Sequence, residues 1–204
     1  MSVAPAASPR PFYLLAGRLA VDFANAPAHP AMPLRPMSWE ELVLFLEAAD
    51  IVSPERGAQL MALPRTNANA ADRLLALATR LRQGLRSTFG AIVRKERASR
   101  DWIQPINEIL RITEGHDELT FDGRWKLEFM AREEGLEWLL AAIARSAAEI
   151  IVEGSEARLR MCANPRCGLF FCDTSRTHRR RWCSMAVCGN RHKVKSFARR
   201  RASS

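Results

Sequence analysis

Four cysteines constrain this chain more than any other feature. Cys162 and Cys167 are separated by four residues, Cys183 and Cys188 by four more, and 15 residues lie between the pairs. Two chelating loops of matched length can place four thiolates about 2.3 Å from one zinc ion, the tetrahedral arrangement that ion favours. Unrelated thiols or two disulfides are the competing readings. The chain shows no secretory leader, because the apolar stretch 12–26 is broken by Arg18 and Asp22 and lacks a basic segment before it. In the reducing, cytoplasmic setting this implies, clustered cysteines bind metal more often than they pair. No segment is apolar enough over the length of a membrane span.

Charge divides the chain at about the same place. Residues 157–204 carry 13 Lys and Arg against the single acid Asp173, a balance of +12, whereas the rest of the 204 residues sums to −3. A basic segment of this size cannot bury enough apolar surface to order itself. A structural zinc contributes roughly 10–16 kcal/mol of apparent folding free energy and removes that difficulty. Four thiolates also fill the coordination sphere and leave no position for a reactive water, so one structural Zn2+ is expected, not a catalytic one. Cys172, in the apolar run 169–172, reads as a small buried hydrophobe. His178 and His192 are substitute ligands should one cysteine stand apart.

Residues 1–11 are small and Pro-rich and are expected to form a disordered lead-in. A short apolar segment, 17–25, carries one acid and precedes a Pro-rich connection. Ser38 with Glu41 is a capping box ahead of a helix to about Ala49, and Ser53-Pro54 repeats the start signal. Leu74, Leu77, Leu81, Leu85, Phe89 and Ile92 recur at helical spacing within 70–97, with Arg80, Arg82, Arg86 and Arg94 on other faces. A further helix is expected over 102–112. Leu119–Phe121, Asp122-Gly123 and Trp125–Phe129 predict a β-hairpin with a two-residue turn and an apolar face of Trp125, Leu127 and Phe129. A second long helix runs from Leu136 to Gly154. The fold class expected is therefore mainly α with a small β-hairpin: a helical N-terminal domain over 12–156 and a small C-terminal α+β zinc finger over 157–204.

The basic segment points to an anionic partner. After Cys183 a helical pattern places Ala186, Val187, Val194, Phe197 and Ala198 on one side, with Arg191, His192, Lys195, Arg199 and Arg200 spread over the other. Arg179, Arg180 and Arg181 form a second cluster beside Trp182, with Phe170 and Phe171 as packing or stacking aromatics. Arg outnumbers Lys eleven to two in residues 157–204, and arginine suits planar bidentate contacts with phosphate or guanine, where a solubilising tail would mix Lys with Glu. The candidate nucleic-acid contacts are thus Arg179, Arg180, Arg181, Arg191, His192, Lys193, Lys195, Arg199, Arg200 and Arg201.

At these residues the sequence resembles the CGNR zinc-finger family. Cys188-Gly189-Asn190-Arg191 is the motif that names it, and CANPRCGLFF and RRRWCSMAVCGNR match its pattern around the four cysteines. The segment GRLAVDFAN, residues 17–25, is similar to the ABATE domain that accompanies this finger, with Ala26 where the family often has Thr. The resemblance spans nearly the whole chain. It implies a stress-related transcription regulator, with RNA binding as a second implication, and assigns the zinc ligands to Cys162, Cys167, Cys183 and Cys188. Asp22 and Asn25 are candidates for a small-molecule pocket or for a structural cap.

The leading expectation is a DNA-binding regulator whose helical domain senses an effector or forms a homodimer. An RNA-binding protein, or a module gripping an acidic protein partner, is the alternative. No Ser/His/Asp arrangement, phosphate loop or carboxylate pair stands at recognisable spacing, so an enzyme is not expected.

Overall fold

The computed structural model describes residues 14, 16–26, 35–121, 123–132, 135–194 and 201. The expected lead-in, the Pro-rich connection up to residue 34, and Lys195, Arg199 and Arg200 lie outside them.

Helix α1 (Leu19–Asn25) buries every residue from Ala20 to Asn25. A helix apolar around its circumference has no face to give to water and has to be enclosed. Helix α2 (Trp39–Ala48) begins with the complete capping box, in which Glu41 N donates to Ser38 Oγ and Ser38 N to Glu41 Oε2. Helix α3 (Pro54–Thr66) is capped by Ser53, with Pro54 in its first turn. Helix α4 (Ala68–Arg94) presents Leu74, Leu77, Leu81, Leu85 and Phe89 to the core. Helix α5 (Arg100–Ile112) crosses it at Gly84, where a Cβ would stand 2.4 Å from the Trp102 carbonyl oxygen.

Strands β1 (Gly115–Phe121) and β2 (Trp125–Ala131) form an antiparallel hairpin. After a 3-10 turn at Glu137–Leu140, helix α6 (Ala141–Glu153) packs on α1 and α5 and ends at Gly154, whose φ is +57°. Strands β3 (Leu159–Met161) and β4 (Phe170–Cys172) make a second antiparallel pair. The chain is thus predominantly helical with two small two-stranded sheets. One contiguous core runs from Ala16 through α1, α2, α4 and α6 to the four cysteines.

Two local expectations are corrected. Phe121 pairs with Trp125, so three residues join the strands, not two, with Gly123 at φ +68°. The hairpin's apolar face is also not core: Trp125 and Leu127 are 70% and 69% exposed, and Phe129 alone is half-buried. A two-stranded sheet needs another layer to cover its apolar face, and among the described residues none is packed over the outer part of it. On α4, Arg82 is buried and Arg86 half-buried, because both turn inward to carbonyl groups. Arg86 donates to Ala24 O and Gly168 O, each at 3.1 Å, and lies over the Phe170 ring. Burial lowers its pKa to about 10, with the neighbouring Arg82 charge adding to the effect.

The helical part and the finger meet along α1. Asn25 Nδ2 donates to Phe170 O at 2.8 Å, and Phe170 N donates to Asn25 Oδ1 at 2.9 Å. This side-chain amide pairs with a backbone as a neighbouring strand would. Ala16 O accepts from Cys172 N at 3.1 Å, and Asp22 Oδ1 accepts from Ala16 N at 2.9 Å. Asn25→Ala would strand a buried donor and acceptor on Phe170. A loss of about 2–4 kcal/mol in unfolding free energy is expected, measurable by urea denaturation of the zinc-loaded protein.

Candidate functional site

The first ligand turn lies between β3 and β4. Cys162 N donates to Leu169 O at 2.8 Å and Cys167 N to Asn164 O at 2.9 Å, closing a tight turn over Pro165. Asn164 holds it from within, its Oδ1 accepting from Arg166 N at 3.2 Å. Gly168 then leaves with φ +66°, a conformation that favours glycine.

The second turn solves the four-residue spacing differently. Ser184 caps it, its hydroxyl accepting from Val187 N. Its carbonyl accepts from Cys188 N at 3.0 Å and also from Gly189 N at 3.1 Å. The latter bond spans five residues and makes Met185–Gly189 a π-helical turn. At Gly189 a Cβ would come within 2.6 Å of Met185 Sδ and 3.4 Å of Trp182 Cδ1. Glycine there lets Met185 and Trp182 close over the turn.

These two turns bring all four thiols together, buried, with their sulfurs within 4.8 Å of one another. Cys167 and Cys183 Sγ are 3.6 Å apart, and Cys183 and Cys188 Sγ 3.8 Å. Sulfurs at the corners of a tetrahedron about 2.3 Å from zinc are separated by about 3.8 Å, so the donor set fits one zinc ion. A disulfide needs about 2.05 Å. Hydrogen bonds from the Cys167 and Cys183 thiols draw the Cys162 pKa down to about 2. The Cys162 sulfur in turn pushes Cys167 up to about 12, and Cys162 and Cys167 together raise Cys183. These three thiols therefore resist ionising together unless a cation is shared among them, as metal binding with proton release requires. Asn164 Nδ2 donates to Cys188 Sγ at 3.4 Å and Cys183 N to Cys162 Sγ at 3.5 Å, contacts that support thiolate charge. Zinc held here supplies four bonds and offers no open position for a reaction.

Cys172 is buried and outside the cluster, and burial raises its thiol pKa. His178 faces the Arg158 guanidinium and His192 stacks on Trp182, so neither belongs to the cluster.

Asp173, the one acid of the finger, is buried as its organising anion. It accepts from Ser175 N and Oγ, from Arg180 N at 3.0 Å, and pairs with Arg160 Nε at 3.2 Å. Burial opposes its ionisation, but the Ser175 and Arg180 hydrogen bonds and the Arg160 charge outweigh that and hold its pKa below the ordinary carboxylate value. Arg180 is turned inward as well, donating to Trp182 O at 2.9 Å and to Cys183 O, with its guanidinium 4.6 Å from the Phe171 ring centroid.

Arg179, Arg181, Arg191, His192, Lys193 and Arg201 are exposed. Arg181 lies over one part of the Trp182 ring at 5.5 Å, and His192 stacks on it at 4.9 Å. The two basic clusters thus converge on one half-exposed indole. Phe170 and Phe171 are buried packing residues. The amphipathic division expected after Cys183 is corrected for its described part: Ala186 and Val194 are exposed and Val187 is half-buried, while Phe197 and Ala198 lie outside the described residues. The π-helical turn adds a residue to the first turn and shifts the phase on which that division rests. Asp22 and Asn25 are buried, with the backbone partners described above. The link to the finger had a faint sequence signal: two amide- and carboxylate-bearing residues three apart in an otherwise apolar helix.

Two family profiles match the chain. The CGNR zinc finger matches residues 158–201. The ABATE profile, described as "Putative stress-induced transcription regulator", matches residues 17–154. Comparison with curated proteins gave no match. One zinc per chain is expected by elemental analysis of the purified protein. In Cys183→Ser that ratio falls below about 0.2, with loss of the cooperative unfolding of the finger, because a structural site with three thiolates loses most of its binding free energy.

Proposed function

The chain belongs to the ABATE family and carries a CGNR zinc finger, and from that premise we propose that it is a transcription regulator that contacts DNA through the finger. The observation that carries this reading is the convergence of Arg181 and His192 on Trp182, with Arg179, Arg191 and Lys193 exposed in the adjoining chain. Arg201 is exposed, and in this reading it, with Lys195, Arg199 and Arg200, extends the basic run in sequence. The zinc does no chemistry in this reading. It fixes the loop bearing Arg179–Arg181 against the helix that begins at Asn190, so that cations from both face one partner. In this reading the protein is a non-catalytic cytoplasmic regulator. Among the described residues no helix is long and apolar enough to cross a membrane.

Arg180 does different work from its neighbours. Its hydrogen bonds to the Trp182 and Cys183 carbonyls make it a support of the second ligand turn. RNA is the second reading, favoured by the half-exposed Trp182, since an indole flanked by cations can stack an unpaired base. Competition between duplex DNA and structured RNA separates the two. The helical domain, in either case, regulates the finger by binding an effector or by dimerising.

If about six phosphates are engaged, affinity for DNA should fall on the order of 10³-fold between 50 and 200 mM salt, as read by fluorescence anisotropy. A salt-insensitive interaction, or none with pooled DNA and RNA, would sink the proposal. Arg179→Gln and Arg181→Gln should each lower affinity by several-fold with zinc content and unfolding midpoint unchanged. Arg180→Gln should instead lower the unfolding midpoint and speed zinc loss to a chelator.

A further inference from the structure

Away from the finger, a cavity of about 610 Å³ opens between the hairpin, the α2–α3 corner and α6. Its size falls within the range of about 300–1,000 Å³ that holds small molecules. Leu127 and Phe129 of β2, Ile51 and Val52 of the corner, and Trp138 and Ala142 wall it. Beyond Leu127 the same hairpin face continues outward as exposed Leu119, Phe121 and Trp125. The wall is therefore apolar and partly aromatic.

The charges around it are unequally met. Three carboxylates line the cavity, and each faces an arginine: Asp50 to Arg124 at 3.3 Å, Asp117 to Arg145 at 3.0 Å and Glu149 to Arg18 at 3.7 Å, the last shared with Glu153 at 2.6 Å. The Arg56 guanidinium, also in the lining, has among the described residues only the neutral Gln59 amide as acceptor, at 2.8 Å. Counted with these partners the charges balance, and Arg56 is the one lining arginine that no described carboxylate meets. From these walls and this arginine we propose that the cavity is an effector site for a small molecule with a flat apolar body and one carboxylate, the carboxylate facing Arg56.

The fold connects this site to the finger by one short helix. Leu19 of α1 lines the cavity, and the lining residue Ser146 accepts from Ala20 N at 3.2 Å. Six residues later the same helix presents Asn25 to the backbone of Phe170. Ala16, just before α1, accepts from Cys172 N. A molecule that shifts or stiffens the start of α1 acts on both of these hydrogen-bonded links to β4. This effector role deepens the regulatory reading above, and its test contains no nucleic acid, so the two fail separately.

The zinc-loaded full chain is titrated calorimetrically with 2-naphthoate, 2-naphthylmethanol and 2-naphthylmethylamine. Naphthoate is expected to bind saturably at one site, with the amine about tenfold weaker or worse. Ala142 is exposed in the cavity wall, so Ala142→Trp fills the space without entering the core and should weaken naphthoate at least about tenfold. Arg56→Gln should weaken naphthoate about 3–10-fold and leave the alcohol unchanged. Absence of naphthoate binding, equal affinity for the amine, or unchanged binding in Ala142→Trp overturns the site. Hydrogen exchange at the Phe170 and Cys172 amides should slow about threefold or more when naphthoate is bound. Binding that leaves both amides unchanged overturns the effector role.

Discussion

Helix α1 is too short to be stable alone and too apolar to meet water, so its seven residues exist as a helix only when other elements enclose them. The enclosure is made from both halves of the chain. Phe23 packs edge-on against Phe45 of α2 at 5.1 Å, α4 and α6 flank the helix, and β4 of the finger closes the remaining side. Because the finger is one of the walls, the folding of the helical part and of the metal-binding part is a single problem. The amide of Asn25 and the guanidinium of Arg86 supply the polar links across that boundary, each satisfying backbone groups that the finger's two short strands leave unpaired.

The finger's own stability rests on two buried sets of charge. One is the four thiolates, which need a divalent cation because each ionised sulfur makes the next harder to ionise. The other is Asp173, whose carboxylate gathers Ser175, Arg160 and the Arg180 backbone into one network. Arg160 and Arg180 are thus tied to the Asp173 network and the second ligand turn, whereas Arg179 and Arg181 stand on the surface. A run of three arginines in sequence becomes two surface cations around one structural one.

Much of the site was legible in order of residues. Two cysteine pairs at equal spacing, a charge division of +12 against −3, capping signals at Ser38 and Ser53, and the heptad-like leucines of α4 each state a local rule that the fold obeys. What escaped were contacts between distant positions. Nothing in the neighbourhood of Asn25 announces Phe170, and nothing near Arg86 announces Gly168. The hairpin shows the opposite failure: its alternation was read correctly as a strand pattern, but alternation does not say whether a layer will cover the apolar face.

The sequence by itself determined the ligand set, the kinds of element and the charge of the finger, because metal spacing, helical periodicity and net charge are local or additive properties. Tertiary structure decided which polar groups turn inward, which arginines remain for a ligand and where a cavity opens. Those outcomes depend on the packing of elements far apart in the chain. A buried donor is satisfied by whichever acceptor the fold brings within 3 Å, and no spacing rule along one strand of sequence encodes that choice.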